Sequence, residues 1–324
     1  MGLGSFVGRR ALGACLLVLG AIVLNFLLIH LAPGDPALML AGEAGGTSEE
    51  ALRKIRADFG LDQPLAVQLL VYMGRLARAD LGFSYFYNRP VLALIADRVP
   101  QTLLLALTAL TVAWVVGVGF GVLVARKPAS LGGNALAVVS LLGYAMPVFW
   151  TAIMLLLLFA VKLPWFPTHG MVTVGGTGGT LAQALDVGHH LVLPAVSLSI
   201  IFVALYSRLT RASMLEALAS DFIRTARSKG VPESRVLLKH ALRNALLPVV
   251  TVAGIQLGQV LAGTILVETV FSWPGMGRLA YESILRRDYP LLLGILLFSS
   301  VAVVVFNLVT DVFYGVLDPR IRHR

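Results

Sequence analysis

The chain has 324 residues, of which 57% are hydrophobic and 13% charged, with a mean hydropathy of +0.84. Soluble globular chains carry about 25% charged residues, which sets this chain apart from water-soluble enzymes. The single cysteine, Cys15, excludes an internal disulfide, a CxxC redox pair and a four-cysteine zinc site. A net charge of +9 and a pI near 10.0 on so apolar a chain fit basic residues flanking membrane spans rather than a nucleic-acid surface.

Six stretches are free of Asp, Glu, Lys and Arg: 11–31, 102–125, 135–161, 191–206, 246–267 and 291–310. Their lengths are near the ~20 apolar residues that a helix needs to cross the hydrocarbon layer. None alternates with period 2, so they read as helices and not as barrel strands. Arg9 and Arg10 precede the first stretch, Arg126 and Lys127 follow the second, a basic segment separates the fourth from the fifth, and Arg320, Arg322 and Arg324 close the chain. If six helices alternate, all four groups share one side, which predicts a multi-pass protein with both termini cytoplasmic. Leu12-Gly13-Ala14-Cys15 resembles a lipoprotein cleavage box, but the apolar run follows Cys15. A retained first span is expected.

Three divisions follow: the N-terminus and first helix (1–31), an extracytoplasmic helical subdomain (32–100), and a five-helix core (101–324) whose cytoplasmic loop covers about 208–248. In the outer segment Thr47 and Glu50 form a capping-box pattern, Leu52, Ile55 and Phe59 make a helical apolar stripe, and Gly60 sits at a C-cap. A second amphipathic stretch covers about 64–79. Such a subdomain either receives a soluble partner or packs as a lid on the bundle. The Gly/Thr-rich stretch 170–180 reads as a linker. His169, His189 and His190 lack a ligand pattern and read as interfacial histidines. Trp273 and Tyr281 are expected in a headgroup-level turn and a short interfacial helix.

Within the spans, Gly117 and Gly121 form GxxxG, and Gly254, Gly258 and Ala262 continue a small-residue ridge suited to close helix packing. Gln256 and Gln259 share the fifth span, with Glu268 at its outer end. Polar groups at that depth either line a pathway or bond between helices, and both readings stand. Asn25, His30, Asn307 and Asp311 suit interhelical bonding.

The segment 208–248 carries the most information. Asp221 is expected to cap a short helix through Lys229, after which Gly230 adopts the left-handed conformation and Pro232 prevents continuation. A second helix should start near Glu233 and run toward Pro248. The basic residues Arg224, Arg227 and Lys229 suit anionic lipid. The stop-start pattern suits a rigid knob presented to a cytoplasmic partner.

Arg224-Thr225-Ala226-Arg227-Ser228-Lys229-Gly230, followed by His240-Ala241-Leu242-Arg243-Asn244-Ala245-Leu246-Leu247-Pro248, resembles the EAA loop of ABC importer permeases in its peptide-permease form. Similar matches run along nearly the whole chain: Pro33-Gly34-Asp35-Pro36, Gly60-Leu61-Asp62-Gln63-Pro64, Asp80-Leu81-Gly82, Glu268 through Gly275, Arg287-Asp288-Tyr289-Pro290 and Asp318-Pro319-Arg320. Together they resemble the first of the two permease subunits of dipeptide, oligopeptide and nickel importers. Arg224 replaces the glutamate, and Arg243 the proline, of many other importers.

The resemblance implies an all-α membrane protein of the type I importer fold in the bacterial inner membrane. It implies a paralogous second permease, two ATPase subunits that bind ATP and Mg, and an extracytoplasmic solute-binding protein. Thr225, Ala226 and Gly230 are the best-matched docking positions. No cofactor is expected in this chain, which lacks GxxxxGK[ST] and is therefore not expected to hydrolyse ATP itself. The implied substrates are short peptides, with nickel chelates or glutathione as alternatives. A self-sufficient secondary transporter or channel would more often show broken helices or internal repeats, and a membrane hydrolase HExxH or GxSxG.

Overall fold

The computed structural model describes residues 3–31, 35, 37–38, 49–126, 131–175 and 179–317. The expected capping residue Thr47 and the C-terminal Asp318-Pro319-Arg320 lie outside them. Helices dominate: α1 (Leu3–Leu31), α2 (Glu49–Phe59), α3 (Leu65–Ala77), a two-stranded hairpin β1 (Phe83–Ser84) and β2 (Arg89–Pro90), α4 (Val91–Arg126), α5 (Leu131–Ala145) and α6 (Val148–Leu155). α6 continues as π turns over Leu156–Lys162. There follow α7 (Thr180–Leu218), α8 (Asp221–Ser228), the single turn α9 (Glu233–Arg235), π turns over Val236–Ala241, α10 (Leu242–Val270), α11 (Met276–Leu285) and α12 (Tyr289–Leu317).

Among the described residues, five helical segments are long and apolar enough to cross a membrane: Gly8–Leu28, Val91–Arg126, Thr180–Leu218, Glu233–Gly254 and Tyr289–Thr310. The expected third span, 135–161, is not one helix. Pro147 takes φ −60° and ψ 133° and starts α6, so the run divides at Met146 and Pro147. Proline lacks the N–H that would continue the ladder from α5, and its ring disfavours helical geometry in the residue before it.

By contrast, Pro100, Pro194 and Pro248 lie inside α4, α7 and α10. The second cytoplasmic helix and the fifth span, expected to meet at Pro248, form one run from Glu233 to Val270 interrupted only by the π turns. The outer segment, expected to be helical, also holds the hairpin, in which Phe83 pairs with Pro90 and Ser84 with Arg89.

The chain forms two compact units, 1–102 with 274–324, and 103–273. In the first, α1 packs on α12, and the Asn25 amide donates to the Leu293 carbonyl (2.9 Å) and to the Tyr72 hydroxyl (3.2 Å). Val91, Leu94 and Ile95 of α4 bury themselves against Leu279 of α11 and Leu291 and Ile295 of α12. In the second unit α7 is central, touching α5, α6 and α10. A Cβ on Gly117 would lie 2.8 Å from Tyr206 Cβ, and one on Gly121 2.5 Å from Thr210 Cβ. Only glycine lets α4 approach α7 so closely. Trp273, expected at headgroup level, is fully buried with Leu105, Leu198 and Phe271. Its ring is more apolar surface than a turn can leave in water.

Candidate functional site

The strongest candidate is α8 with its flanks. Its N-cap is Ser220, in extended conformation, and Asp221 is the first helical residue. The expected Asp221 cap is thus displaced by one position. Ser220 Oγ instead donates back to the Ala217 carbonyl (2.5 Å), while Asp221 pairs with Arg224 one turn on. An acidic residue in the first turn still favours the helix dipole. The C-terminal end follows the expected chemistry. Gly230 has φ +74°, its N–H bonds to the Arg227 carbonyl (2.9 Å), and the Val231 N–H reaches the Ala226 carbonyl (3.2 Å). Those two bonds are the paired closures of a Schellman turn.

Helical spacing then divides the side chains. Ile223 and Ala226 are buried with Ala125, Met214, Val236, Leu237, Ala241 and Ala245. Phe222, Arg224, Thr225, Arg227, Ser228 and Lys229 are exposed, and Phe222 keeps 44% of its surface. Ala226, expected at the docking surface, belongs instead to the seat on its own chain, because it lies three residues from Ile223 on the same face. Phe222, Thr225 and Lys229, at spacings of three and four, share an exposed stripe beside that buried face.

Two local clasps stiffen the exposed side. Thr225 Oγ1 donates to the Asp221 carbonyl (3.0 Å). Arg227 makes a two-pronged contact with Glu233, Nη2 to Oε1 at 2.7 Å and Nε to Oε2 at 3.2 Å, tying the helix to the turn after Gly230. That hydrogen bond holds the Glu233 carboxyl below its ordinary range, with the positive charge of Arg227 and Arg126 adding to it.

The remaining expected positions are dispersed. Glu268 is fully buried, and its carbonyl accepts the Trp273 N–H (2.8 Å) at the end of α10. It therefore lies on no surface that the chain exposes. Gln256 is half-buried, while the side-chain surroundings of Gln259 and the ridge position Gly258 lie outside the described residues; Gly254 is half-buried in α10. His189 approaches the Trp165 carbonyl (2.9 Å) and His190 the Asp186 carbonyl (2.9 Å).

The other unit holds a cluster that sequence reasoning missed. The hairpin is fastened to α11 and α12 by side chains about two hundred positions away. Ser84 donates to Asp288, Tyr87 Oη donates to Glu282 Oε2 (2.9 Å), and the Arg286 guanidinium stacks 4.0 Å from the Phe86 ring. Asp288 Oδ1 also accepts the Leu291 N–H (3.2 Å), so one buried carboxylate caps α12 and holds the hairpin. Burial and the Glu282 hydrogen bond push the Tyr87 phenol up from its ordinary value. Phe83, Tyr85 and Phe86 remain exposed. Beside them a cleft of about 140 Å³ is lined by Arg98, Arg278 and Glu282. The run Phe83-Ser84-Tyr85-Phe86-Tyr87-Asn88 carried the signal: aromatic strand formers ending in Asn88, which takes φ +50° at the turn.

The helices, the broken pair α5 and α6, and the short α8 between two long spans define a membrane permease architecture. A solved inward-facing structure of the MetNI methionine ABC transporter shares it, with a TM-score of 0.56 at 16% identity over 70% of this chain and 97% of that one. The chain belongs to the family of inner-membrane components of binding-protein-dependent transport systems: that family's model matches residues 117–323, and the N-terminal model of such membrane components matches 3–106. It is a multi-pass inner-membrane protein. It is 38% identical to the oligopeptide transport system permease protein AppB of Bacillus subtilis, covering 99% of this chain and all of that one. The dipeptide transport system permease protein DppB of Escherichia coli K12 is 40% identical, covering 94% of this chain and 95% of its own length. The di/tripeptide permease DppB of Pseudomonas aeruginosa is 41% identical over 99% of both.

Proposed function

We propose that this chain is the permease subunit of an ATP-driven importer of short peptides and forms half of the translocation pathway. The observation that carries the reading is near-complete alignment with three permeases named for oligopeptide, dipeptide and di/tripeptide transport. A paralogous permease completes the pathway, two ATPase subunits bind ATP and Mg on the cytoplasmic side, and a solute-binding protein delivers peptide from outside. Both termini and 208–248 face the cytoplasm, with α5 and α6 crossing together as one of six passes. That arrangement is supported by the four basic groups on one side of the alternation.

In this reading α8 is the coupling element. Ile223 and Ala226 transmit its movement to α7 and α10 through direct packing, while Phe222, Thr225 and Lys229 enter a groove of an ATPase subunit. Energy has to cross that contact, because the chain carries no nucleotide-binding motif of its own. The hairpin, α11 and the segment from Glu49 to Ala77 form the outer surface that meets the binding protein.

The test is uptake by vesicles containing the full assembly, ATP inside and labelled dipeptide on its binding protein outside. Saturable uptake competed by unlabelled di- and tripeptides is expected. Uptake competed by a nickel chelate or by glutathione, and indifferent to dipeptides, would replace the peptide assignment while leaving the permease role intact.

A further inference from the structure

We infer that the α1/α12 pair carries a binding site for an anionic phospholipid, its phosphate on Arg9 and Arg10 and an acyl chain in the groove between the helices. The inference uses the orientation proposed above, in which Arg9 and Arg10 lie at the cytoplasmic leaflet. The two helices run antiparallel. At one end Asn25 bonds to the Leu293 carbonyl at 2.9 Å. At the other, a groove of about 430 Å³ opens between Arg9, Arg10, Gly13 and Leu17 on α1 and Asn307 and Leu308 on α12. About sixteen helical residues, or ~24 Å at 1.5 Å each, separate Asn25 from Arg9. The groove therefore sits near the opposite membrane face from the Asn25 bond.

Its shape has a residue-level cause. Where a small residue serves helix packing in this chain, a side chain in its place would collide, as at Gly117 and Gly121. At Gly13 an added Cβ would meet nothing within 4 Å. The partner helix has not closed over Gly13, and the missing side chain leaves a channel instead of a contact. Residues 9, 13 and 17 recur at spacing four and so form one stripe of α1, cationic at one end and apolar along its length. Asn307 is exposed on α12 and offers an amide donor at the same depth.

Paired arginines over a hydrocarbon groove match a headgroup phosphate above an acyl chain. An acidic peptide would satisfy the arginines but not the groove. A neutral lipid would do the reverse.

The full assembly, exchanged into nanodiscs of mixed phosphatidylglycerol and phosphatidylcholine, would be released and weighed by native mass spectrometry with lipid still attached. Wild type is expected to retain phosphatidylglycerol selectively. Arg9→Gln with Arg10→Gln should weaken retention about thirtyfold, equivalent to about 1 kcal/mol for each arginine near an anionic headgroup. Gly13→Leu should also lose the lipid while keeping both charges, which separates groove filling from charge and from any change of topology. Undiminished retention in Gly13→Leu would overturn the site. So would efficient cross-linking of Leu17→Cys, in a Cys15→Ser background, to the second permease, since a protein would then cover the groove. Lipid retention does not depend on which membrane face Arg9 occupies, and labelling of Arg9→Cys from either side tests that orientation separately.

Discussion

The α8 segment and the hairpin unit close their helices with the same backbone turn, but hold it by different means. In α8 the left-handed residue is Gly230, at φ +74°, and the supporting contacts come from within a dozen residues: Asp221 to Arg224, Thr225 to Asp221, Arg227 to Glu233. In the hairpin unit the equivalent positions are Ala79 at φ +59° after α3 and Arg287 at φ +49° after α11. Each makes the paired bonds of a Schellman turn: the Ala79 and Asp80 N–H groups reach Leu76 and Arg75, and those of Arg287 and Asp288 reach Ile284 and Ser283. A residue with Cβ is disfavoured there by about 1–2 kcal/mol, so surrounding structure has to compensate. The first turn is still supported locally, by Arg75 pairing with Asp80, whereas Asp288 beyond the second is clamped by Ser84, about two hundred positions away. A local device survives changes elsewhere in the chain, whereas one held at long range responds to them.

The largest expected effect comes from breaking the local device. Gly230 has open space around it, so Gly230→Val acts through backbone strain alone, about 1–3 kcal/mol at a positive φ. The variant should insert normally, yet lose peptide uptake and the stimulation of ATP hydrolysis by loaded binding protein at least tenfold. Wild-type uptake and stimulation in Gly230→Val vesicles would remove α8 from the coupling role.

Next, Asp288→Ala should destabilise the hairpin unit by about 1–3 kcal/mol, since it removes the cap of α12 and strands the Ser84 hydroxyl. Thermal unfolding in detergent would show it, with protease sensitivity rising at Tyr85 to Asn88 and not near α8. If α8 became equally sensitive, the contrast between local and long-range support would fail.

A smaller effect of opposite sign is expected for Ala79→Gly. Relief of left-handed strain, less the entropy glycine gives up on folding, leaves a gain of about 0.5–1 kcal/mol. A lower melting temperature would mean that Ala79 packing outweighs the strain.

The smallest effect concerns pH. Glu233 has its carboxyl lowered below the ordinary value of 4.5 by the Arg227 hydrogen bond. Its contribution is therefore complete above that value and is lost as pH falls through the lowered one. Both groups are solvent-exposed, so the change should be slight. Amide exchange around Gly230 and Val231 is expected to stay flat above the ordinary carboxyl value of 4.5 and to rise as pH falls through the lowered one, while Glu233→Gln should show no such dependence.

The α8 region was legible because its signals are short-range: a first-turn acid, a glycine where φ is positive, and Pro232 beyond it. The one-position displacement of the cap has the same origin, since Ser220 and Asp221 are both capping residues and only the direction of entry from α7 decides between them. Which way Ala226 faces was not legible from the motif, because burial depends on where Met214, Val236 and Ala241 arrive. The division of 135–161 at Pro147 was visible as a proline, but Pro194 and Pro248 have the same local chemistry and lie inside continuous helices.

Composition and hydropathy by themselves determined the membrane setting, because ~20 uncharged residues leave a backbone no alternative to helix in hydrocarbon. The spacing of basic residues and the Gly230 turn likewise belong to the sequence, since each rests on charge or on φ within a few residues. Tertiary structure alone decided that Ser84 and Tyr87 meet Asp288 and Glu282, that Trp273 is enclosed, and that a groove opens at Gly13 while the chain closes tightly at Gly121. Those outcomes depend on which side chains arrive from helices distant in sequence, and one-dimensional order does not encode that arrival.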